Sequence, residues 1–219
     1  RNDVTSVAWS GSGTRLASGS KDGTARLWHF NGTSGGAKAG ATLSGRASAA
    51  PPREQWRSTL LGTLKEEGQQ TPVLGTVAFS CDDALLVTAS SVAAMDVWCG
   101  RSGVHLRSLT LPHAQPAHTR EVYVFECHPV LGHLGFSASY DGTLVLWDLT
   151  SGGALRQLEQ PRLDENSEVL DGHWGPDGHA IALTDLGGRL SLYSLGLGAA
   201  APPVQVGPEE SFACGGATR

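Results

Sequence analysis

The sequence is short of charge, and the charge it has leans acidic. Only 17% of its 219 residues are charged, against a usual share of about 25%. The 16 basic and 21 acidic side chains leave a formal net charge of −5. Such a balance lacks the concentrated positive surface that grips a phosphate backbone, so direct nucleic-acid binding is not expected. No apolar run approaches the ~20 residues of a membrane span, so no membrane partner is expected. No charged–apolar–small segment opens the chain as a secretion signal would. Cys81, Cys99, Cys127 and Cys214 stand far apart, with no C-x-x-C pair among them. A zinc knuckle or a thioredoxin-like site is therefore unsupported. The cysteines read as reduced thiols of an intracellular protein, two or three of them buried in strands. No metal and no cofactor is expected.

Glycine, by contrast, is plentiful. The 29 glycines are nearly double the usual share of about 7%, and 11 prolines accompany them. Long helices are not expected, and the absence of a three-residue glycine period excludes collagen. The chain is long enough for one or two domains and for a core without disulfides. It begins with Arg1 rather than Met, which points to a piece of a longer product.

One unit is written four times. Leu16-Ala-Ser-Gly-Ser-Lys-Asp-Gly-Thr-Ala-Arg-Leu-Trp28 matches Gly135-Phe-Ser-Ala-Ser-Tyr-Asp-Gly-Thr-Leu-Val-Leu-Trp147 position for position. Each predicts a strand, a tight turn at Asp-Gly, where glycine takes a positive φ cheaply, and a second strand. Leu85–Trp98 keeps the rhythm and the Trp but loses Asp-Gly, and Ala180–Tyr193 puts Tyr in place of Trp. A further strand precedes each copy: Val4–Ser10, Val73–Ser80, Glu121–Cys127 and Glu168–Trp174. Fourth strands are expected at Gln55–Leu61, Val104–Thr110 and Ala154–Leu158, and none for the last copy. Trp98 to Trp147 is 49 residues and Trp147 to Tyr193 is 46, at or just above the ~40–45 of a four-stranded repeat. The 70 residues from Trp28 to Trp98 hold an insertion, Asn31–Pro52, made almost wholly of Gly, Ala, Ser, Thr and Pro. That composition predicts a flexible loop.

These residues resemble the WD repeats of a β-propeller. The order of four stretches is also similar to the bromodomain and WD-repeat proteins, the family that includes the pleckstrin-homology-domain-interacting protein. They are Asn2-Asp-Val with Gly19–Phe30, Arg53–Leu61, Glu121–Pro129 with Phe136–Gly142, and Pro176–Asp185. The expected fold is all-β: a partial WD-repeat propeller of about four antiparallel four-stranded blades, an open arc that is a fragment of a larger propeller. The propeller segment is expected over 1–198. Its blades fall at about 2–61, with the low-complexity insertion at 31–52, and at 73–110, 118–158 and 167–195. A flexible tail is expected over 199–219. The resemblance implies a nuclear, chromatin-associated scaffold, a family able to serve as substrate receptor of cullin–RING ubiquitin ligases. The ligase-docking pattern Trp-Asp-x-Arg is not met, since Thr150 follows Trp147-Asp-Leu.

WD repeats share a hydrogen-bonded tetrad, and one complete candidate is present: His118, Ser137, Asp141 and Trp147. Asp can accept from the imidazole, the imidazole from the Ser hydroxyl, and the hydroxyl from the indole N–H. A hydrolase triad is the rival reading of Ser, His and Asp. It needs an exposed Ser beside oxyanion donors, whereas this Ser faces a Trp inside a repeat whose other copies lack His. The first copy holds Ser18, Asp22 and Trp28, and its His would fall just before Arg1. The second holds Thr88 and Trp98, with Val92 replacing Asp. The fourth has Leu183, Gly187 and Tyr193 and thus no tetrad, so these two blades are expected to rely on packing and backbone ladders alone. His113, His128 and His133 read as turn and surface histidines, and Asp164, Glu165, Glu168 and Asp171 as a solvated acidic loop.

The function expected is binding of other proteins through loop faces, with Lys21, Arg120 and Tyr140 as candidate contacts. No catalytic residue is assigned. The alternatives are a propeller-type hydrolase and a degenerate fragment with no independent function.

Overall fold

Each copy of the repeat folds into one antiparallel sheet of four strands, taken in chain order from one edge to the other. The structure is a computed structural model and describes residues 2–30, 56–63, 73–91, 94–112, 117–159, 168–195 and 204–206. The first blade is β1 (Val4–Trp9), β2 (Arg15–Ser20), β3 (Thr24–Phe30) and β4 (Trp56–Thr63). The second is β5 (Leu74–Phe79), β6 (Leu85–Ser90), β7 (Met95–Cys99) and β8 (His105–Ser108). The third is β9 (Val122–Cys127), β10 (Leu134–Ser139), β11 (Thr143–Asp148) and β12 (Gly153–Glu159). The fourth is β13 (Val169–Trp174), β14 (Ala180–Asp185), β15 (Leu190–Ser194) and β16 (Val204–Val206). No α-helix occurs among the described residues.

The hairpins follow from the dipeptides. Gly23 and Gly142 of the two Asp-Gly turns sit at φ 77° and 80°, where a side chain would be strained. Their amides close the turns on the carbonyls of Ser20 and Ser139 at 3.1 and 3.0 Å. β1, β5, β9 and β13 are successive neighbours, so the first strand of every blade lies innermost. The result is a partial propeller. No strand of the first sheet pairs with one of the last among the described residues.

One expectation is corrected here. The sequence offers no fourth strand for the last copy, yet Val204–Val206 pairs with β15, Leu192 opposite Val204. Three residues are too few for alternation to show, and the Gly, Ala and Pro before them hide the connection. The rest of 199–219 lies outside the described residues, as does the insertion 31–52.

Strand alternation gives each blade two faces. The rear face carries the repeat Trp or Tyr, and it packs on the forward face of the blade before it. Val77, Leu86 and Trp98 lie on Ala17, Ala25 and Leu27. Phe125, Cys127 and Trp147 lie on Val87, Ala89, Met95 and Val97. Trp174, Ile181, Leu183 and Tyr193 lie on Val124, Phe136, Ala138 and Leu144. Full burial of each large apolar side chain contributes roughly 1.5–3 kcal/mol.

Polar staples join the blades as well. The Asp83 carboxylate, on a residue at φ 59°, accepts the amides of Gly11 and Ser12 at 2.6 and 2.9 Å and pairs with Arg15 at 3.3 Å. Glu126 accepts the Trp174 amide at 2.6 Å. His128 is not a surface histidine but is buried. Its Nδ1 accepts the amides of Val130 and Leu131 at 3.1 and 2.9 Å, which leaves the proton on Nε2 to donate to the Gly178 carbonyl of the next blade at 3.1 Å. The His-Pro dipeptide marks the turn, but only the neighbouring blade reveals that the ring is enclosed. Among the described residues Cys81, Cys99 and Cys127 are free, and only Cys127 is buried.

Candidate functional site

In the third blade one polar chain runs from β11 through β10 to the segment entering β9. The Trp147 indole N–H donates to Ser137 Oγ at 2.8 Å. Ser137 Oγ is 2.6 Å from His118 Nε2, and His118 Nδ1 is 2.7 Å from Thr143 Oγ1. Thr143 in turn donates to Asp141 Oδ1 at 2.6 Å. One assignment gives every atom a complementary partner: the Ser137 hydroxyl donates to Nε2, and Nδ1–H donates to Thr143. The expected direct His–Asp contact is thereby altered. Asp141 Oδ1 lies 3.7 Å from His118 Nδ1, and Thr143 bridges them. The threonine follows Asp-Gly in both strong copies, at 24 and 143. That repetition was the available signal.

Asp141 is held from both sides of its hairpin. Its Oδ2 accepts the Thr119 amide at 2.6 Å and its Oδ1 the Thr143 amide at 2.9 Å. Burial alone would raise its pKa. The His118 ring, the Thr143 hydroxyl and the two amides outweigh that and hold the carboxyl well below the usual carboxylate range. The chain of groups is closed to solvent: Ser137 is 0% exposed, His118 2% and Trp147 0%. A hydroxyl so enclosed, already bonded to an indole, has no room for a carbonyl substrate.

The other copies keep parts of this arrangement. In the first, Trp28 donates to Ser18 at 2.9 Å, and Asp22 accepts the Thr24 amide and hydroxyl at 3.1 and 2.6 Å. In the second, Trp98 donates to Thr88 at 3.0 Å, while position 92 lies outside the described residues. The same blade adds a staple of its own: Asp96 accepts from Ser108 at 2.6 Å and pairs with His105 at 2.8 Å. The fourth blade is not held by packing and ladders alone either. Arg189 donates to buried Asp185 through Nε at 2.8 Å and through its amide at 2.9 Å. Aspartate has moved from the turn to the end of β14, and arginine stands where the strong copies have threonine. What the fourth blade loses is a mate for its aromatic. Leu183 replaces serine, and the Tyr193 hydroxyl is buried with no hydrogen-bond partner among the described residues.

The three candidate contacts are not all in one place. Arg120 and Tyr140 meet: the guanidinium lies 5.5 Å from the Tyr140 ring centre, donates to the Tyr140 carbonyl at 3.3 Å and ion-pairs with Glu168. Tyr140 is half-buried rather than fully exposed, because it stacks on Tyr123 with ring centres 4.0 Å apart. Burial and the Tyr123 hydroxyl push its phenol pKa up to about 12. Lys21 pairs with Asp3 at 3.0 Å, and both line a cavity of about 540 Å³ with Gly75, Ser91, Glu121 and Tyr123. Tyr123 thus joins the Arg120–Tyr140 cluster to this cavity, a role its place in the sequence did not signal. Among the described residues no cluster of His, Cys, Asp or Glu could hold a metal ion. Positions 113, 164 and 165 lie outside them.

Residues 1–29 and 109–148 match the family model described as WD domain, G-beta repeat. These two stretches carry the WD-repeat pattern. The chain is similar to a bromodomain and WD repeat-containing protein of Dictyostelium discoideum, 27% identical over 195 residues, which is 89% of this chain and 8% of that protein. Protein HIR1 of Mycosarcoma maydis is 28% identical over 179 residues, 80% of this chain and 16% of that protein. Coronin-7 of Bos taurus is 37% identical over 87 residues, 39% of this chain and 9% of that protein. The chain therefore spans a small part of each relative. The WD repeats support a protein-interaction scaffold. No helix among the described residues is long and apolar enough to cross a membrane.

Proposed function

We propose that this chain is a protein-binding segment of a nuclear, chromatin-associated regulator, and that it is not an enzyme. The observation that carries the reading is the enclosure of Ser137 and His118 within their blade, which turns the one Ser–His–Asp set into a strut. The surface left for recognition is the rim where Arg120, Tyr140 and Tyr123 meet the cavity edged by Lys21. Aromatic and arginine side chains anchor interfaces because they bury much area with few rotors to freeze. The nuclear and chromatin setting is supported by the likeness to a bromodomain and WD repeat-containing protein over most of the chain. A ubiquitin-ligase role has less behind it, because Thr150 stands where the docking pattern needs arginine. Affinity purification from nuclear extract, comparing the natural chain with Arg120→Glu and Tyr140→Ala, tests the proposal. Chromatin proteins should co-purify with the natural chain and fall away in the variants. Turnover of an ester, phosphate or glycoside substrate that Ser137→Ala abolishes in a still-folded chain would overturn it.

A further inference from the structure

Tyr123 is stacked yet half open. Its ring lies within 15° of parallel to that of Tyr140, centres 4.0 Å apart, and is still 50% exposed. It lines two hollows along the innermost strands: the cavity of about 540 Å³ and a smaller one of about 160 Å³ beside Glu126 and His173. Tyr140 is in the wall of neither. The larger cavity is bounded by Gly75 of β5 and by Glu121, Val122 and Tyr123 at the start of β9. Both strands lie inside the arc, with β1 and β13 as their outer neighbours.

The charges of this cavity do not cancel. Asp3 and Lys21 in its wall pair with each other at 3.0 Å. Glu121 is half-buried in the same wall, and its carboxylate has no hydrogen bond or ion pair among the described residues. Arg120, next to it in the chain, gives its guanidinium to Glu168. The Thr5 hydroxyl donates to the Gly19 carbonyl at 3.2 Å, so it has no proton to offer an anion. An uncompensated carboxylate beside an aromatic ring attracts a cation. The third blade shows which cation fits such a setting. Arg120 lies 5.5 Å from the centre of the Tyr140 ring and is held there by Glu168. Tyr123 and Glu121 offer the tyrosine and the carboxylate of the same trio.

We propose that this cavity takes an arginine side chain of a partner protein, its guanidinium against the open part of the Tyr123 ring and its nitrogens donating to Glu121. This specificity rests on the protein-binding role proposed for the same rim. A planar guanidinium lies flat on an aromatic ring and is more weakly hydrated than an ammonium, so arginine is preferred to lysine. The volume falls within the roughly 300–1,000 Å³ of ligand-binding clefts. The formal net charge of −5 adds a general attraction for a basic partner.

NMR titration of the full 219-residue chain with a capped heptapeptide of alanine and glycine carrying one central arginine tests this. Saturable shifts are expected at the Gly75, Ser91, Glu121 and Tyr123 amides. The same peptide with citrulline, which keeps the shape and loses the charge, should bind at least ~10-fold more weakly, and the lysine peptide about 3-fold more weakly. Tyr123→Ala and Glu121→Gln should each weaken the arginine peptide at least ~10-fold, whereas Tyr123→Phe, which keeps the ring, should not. Glu121→Gln preserves shape and carries the test alone if Tyr123→Ala does not fold. An arginine peptide that does not bind, one that is indifferent to Glu121→Gln, or one matched by its citrulline, lysine or glutamate counterpart would each overturn the inference. Capture from nuclear extract separates the two readings. If Arg120→Glu abolishes capture but the arginine peptide does not bind, the protein-binding role stands and the arginine specificity falls. If the peptide binds as expected but capture ignores every rim variant, the specificity stands and the nuclear role falls.

Discussion

Trp9 and Trp174 hold the same place in the first and last blades, yet Trp9 is 58% exposed and Trp174 8%. The residue type is the same and so is the strand position. The difference is the blade behind: the third blade supplies Phe136, 5.4 Å from the Trp174 ring, while the first blade has no described neighbour on that side. Stability in such a stack is a sum of blade and interface contributions, so single changes should act locally.

Tyr193→Phe should stabilise the chain. The hydroxyl it removes is buried without a partner among the described residues, and a buried unsatisfied polar group costs roughly 1–3 kcal/mol. Thermal melting checks this. Leu183→Ser, which would give the hydroxyl a neighbour at the cost of apolar burial, should not reproduce the gain.

Asp141→Ala should be strongly destabilising, because it strands the Thr143 hydroxyl and the Thr119 amide in a closed site, at roughly 1–3 kcal/mol for each group left unpaired. Tyr140→Ala loses one stacked ring pair, about 0.5–1.5 kcal/mol. Denaturant unfolding of the two variants should rank them in that order. Because the Asp141 pKa is held low in the folded state, its contribution is complete above the unfolded carboxyl value of about 3.9 and is lost as pH falls below it.

His128 should make the chain sensitive to mild acid. Burial, with the neighbouring His179 and His133, lowers its pKa despite the Gly178 carbonyl. The folded state thus binds a proton less readily than the unfolded one. Stability is complete above the unfolded histidine value of about 6.5 and falls as pH drops below it. His128→Asn keeps an acceptor for the two turn amides and removes the titration. Its melting temperature should fall less than the natural chain's between about pH 7.5 and about pH 5.5.

Arg189→Met should cost about 3–5 kcal/mol, the usual penalty for leaving one member of a buried ion pair behind. The Asp185 side chain is 0% exposed and Arg189 10%, so water cannot replace the guanidinium. Asp185→Asn in the same background should recover part of the loss. Chemical unfolding of the single and double variants measures the coupling.

The repeat itself was legible because it is written in local terms. Asp-Gly marks a positive-φ turn wherever it occurs between alternating strands, and the Trp ten residues after Ser18, Thr88 and Ser137 keeps its partner through strand register alone. His118, Ser137, Asp141 and Trp147 could be grouped because the resemblance to WD repeats implies such a tetrad. What depended on contacts between segments could not be read that way. Thr143 enters between His118 and Asp141 because the distance there is 3.7 Å, a length no spacing states. Asp83 reaches Gly11 and Ser12 across more than 70 residues of chain, and His128 is enclosed only because the next blade folds over it. Alternation along a strand says which side chains share a face. Only the tertiary structure decides whether another sheet lies against that face, since burial is a property of two surfaces and the sequence pattern describes one.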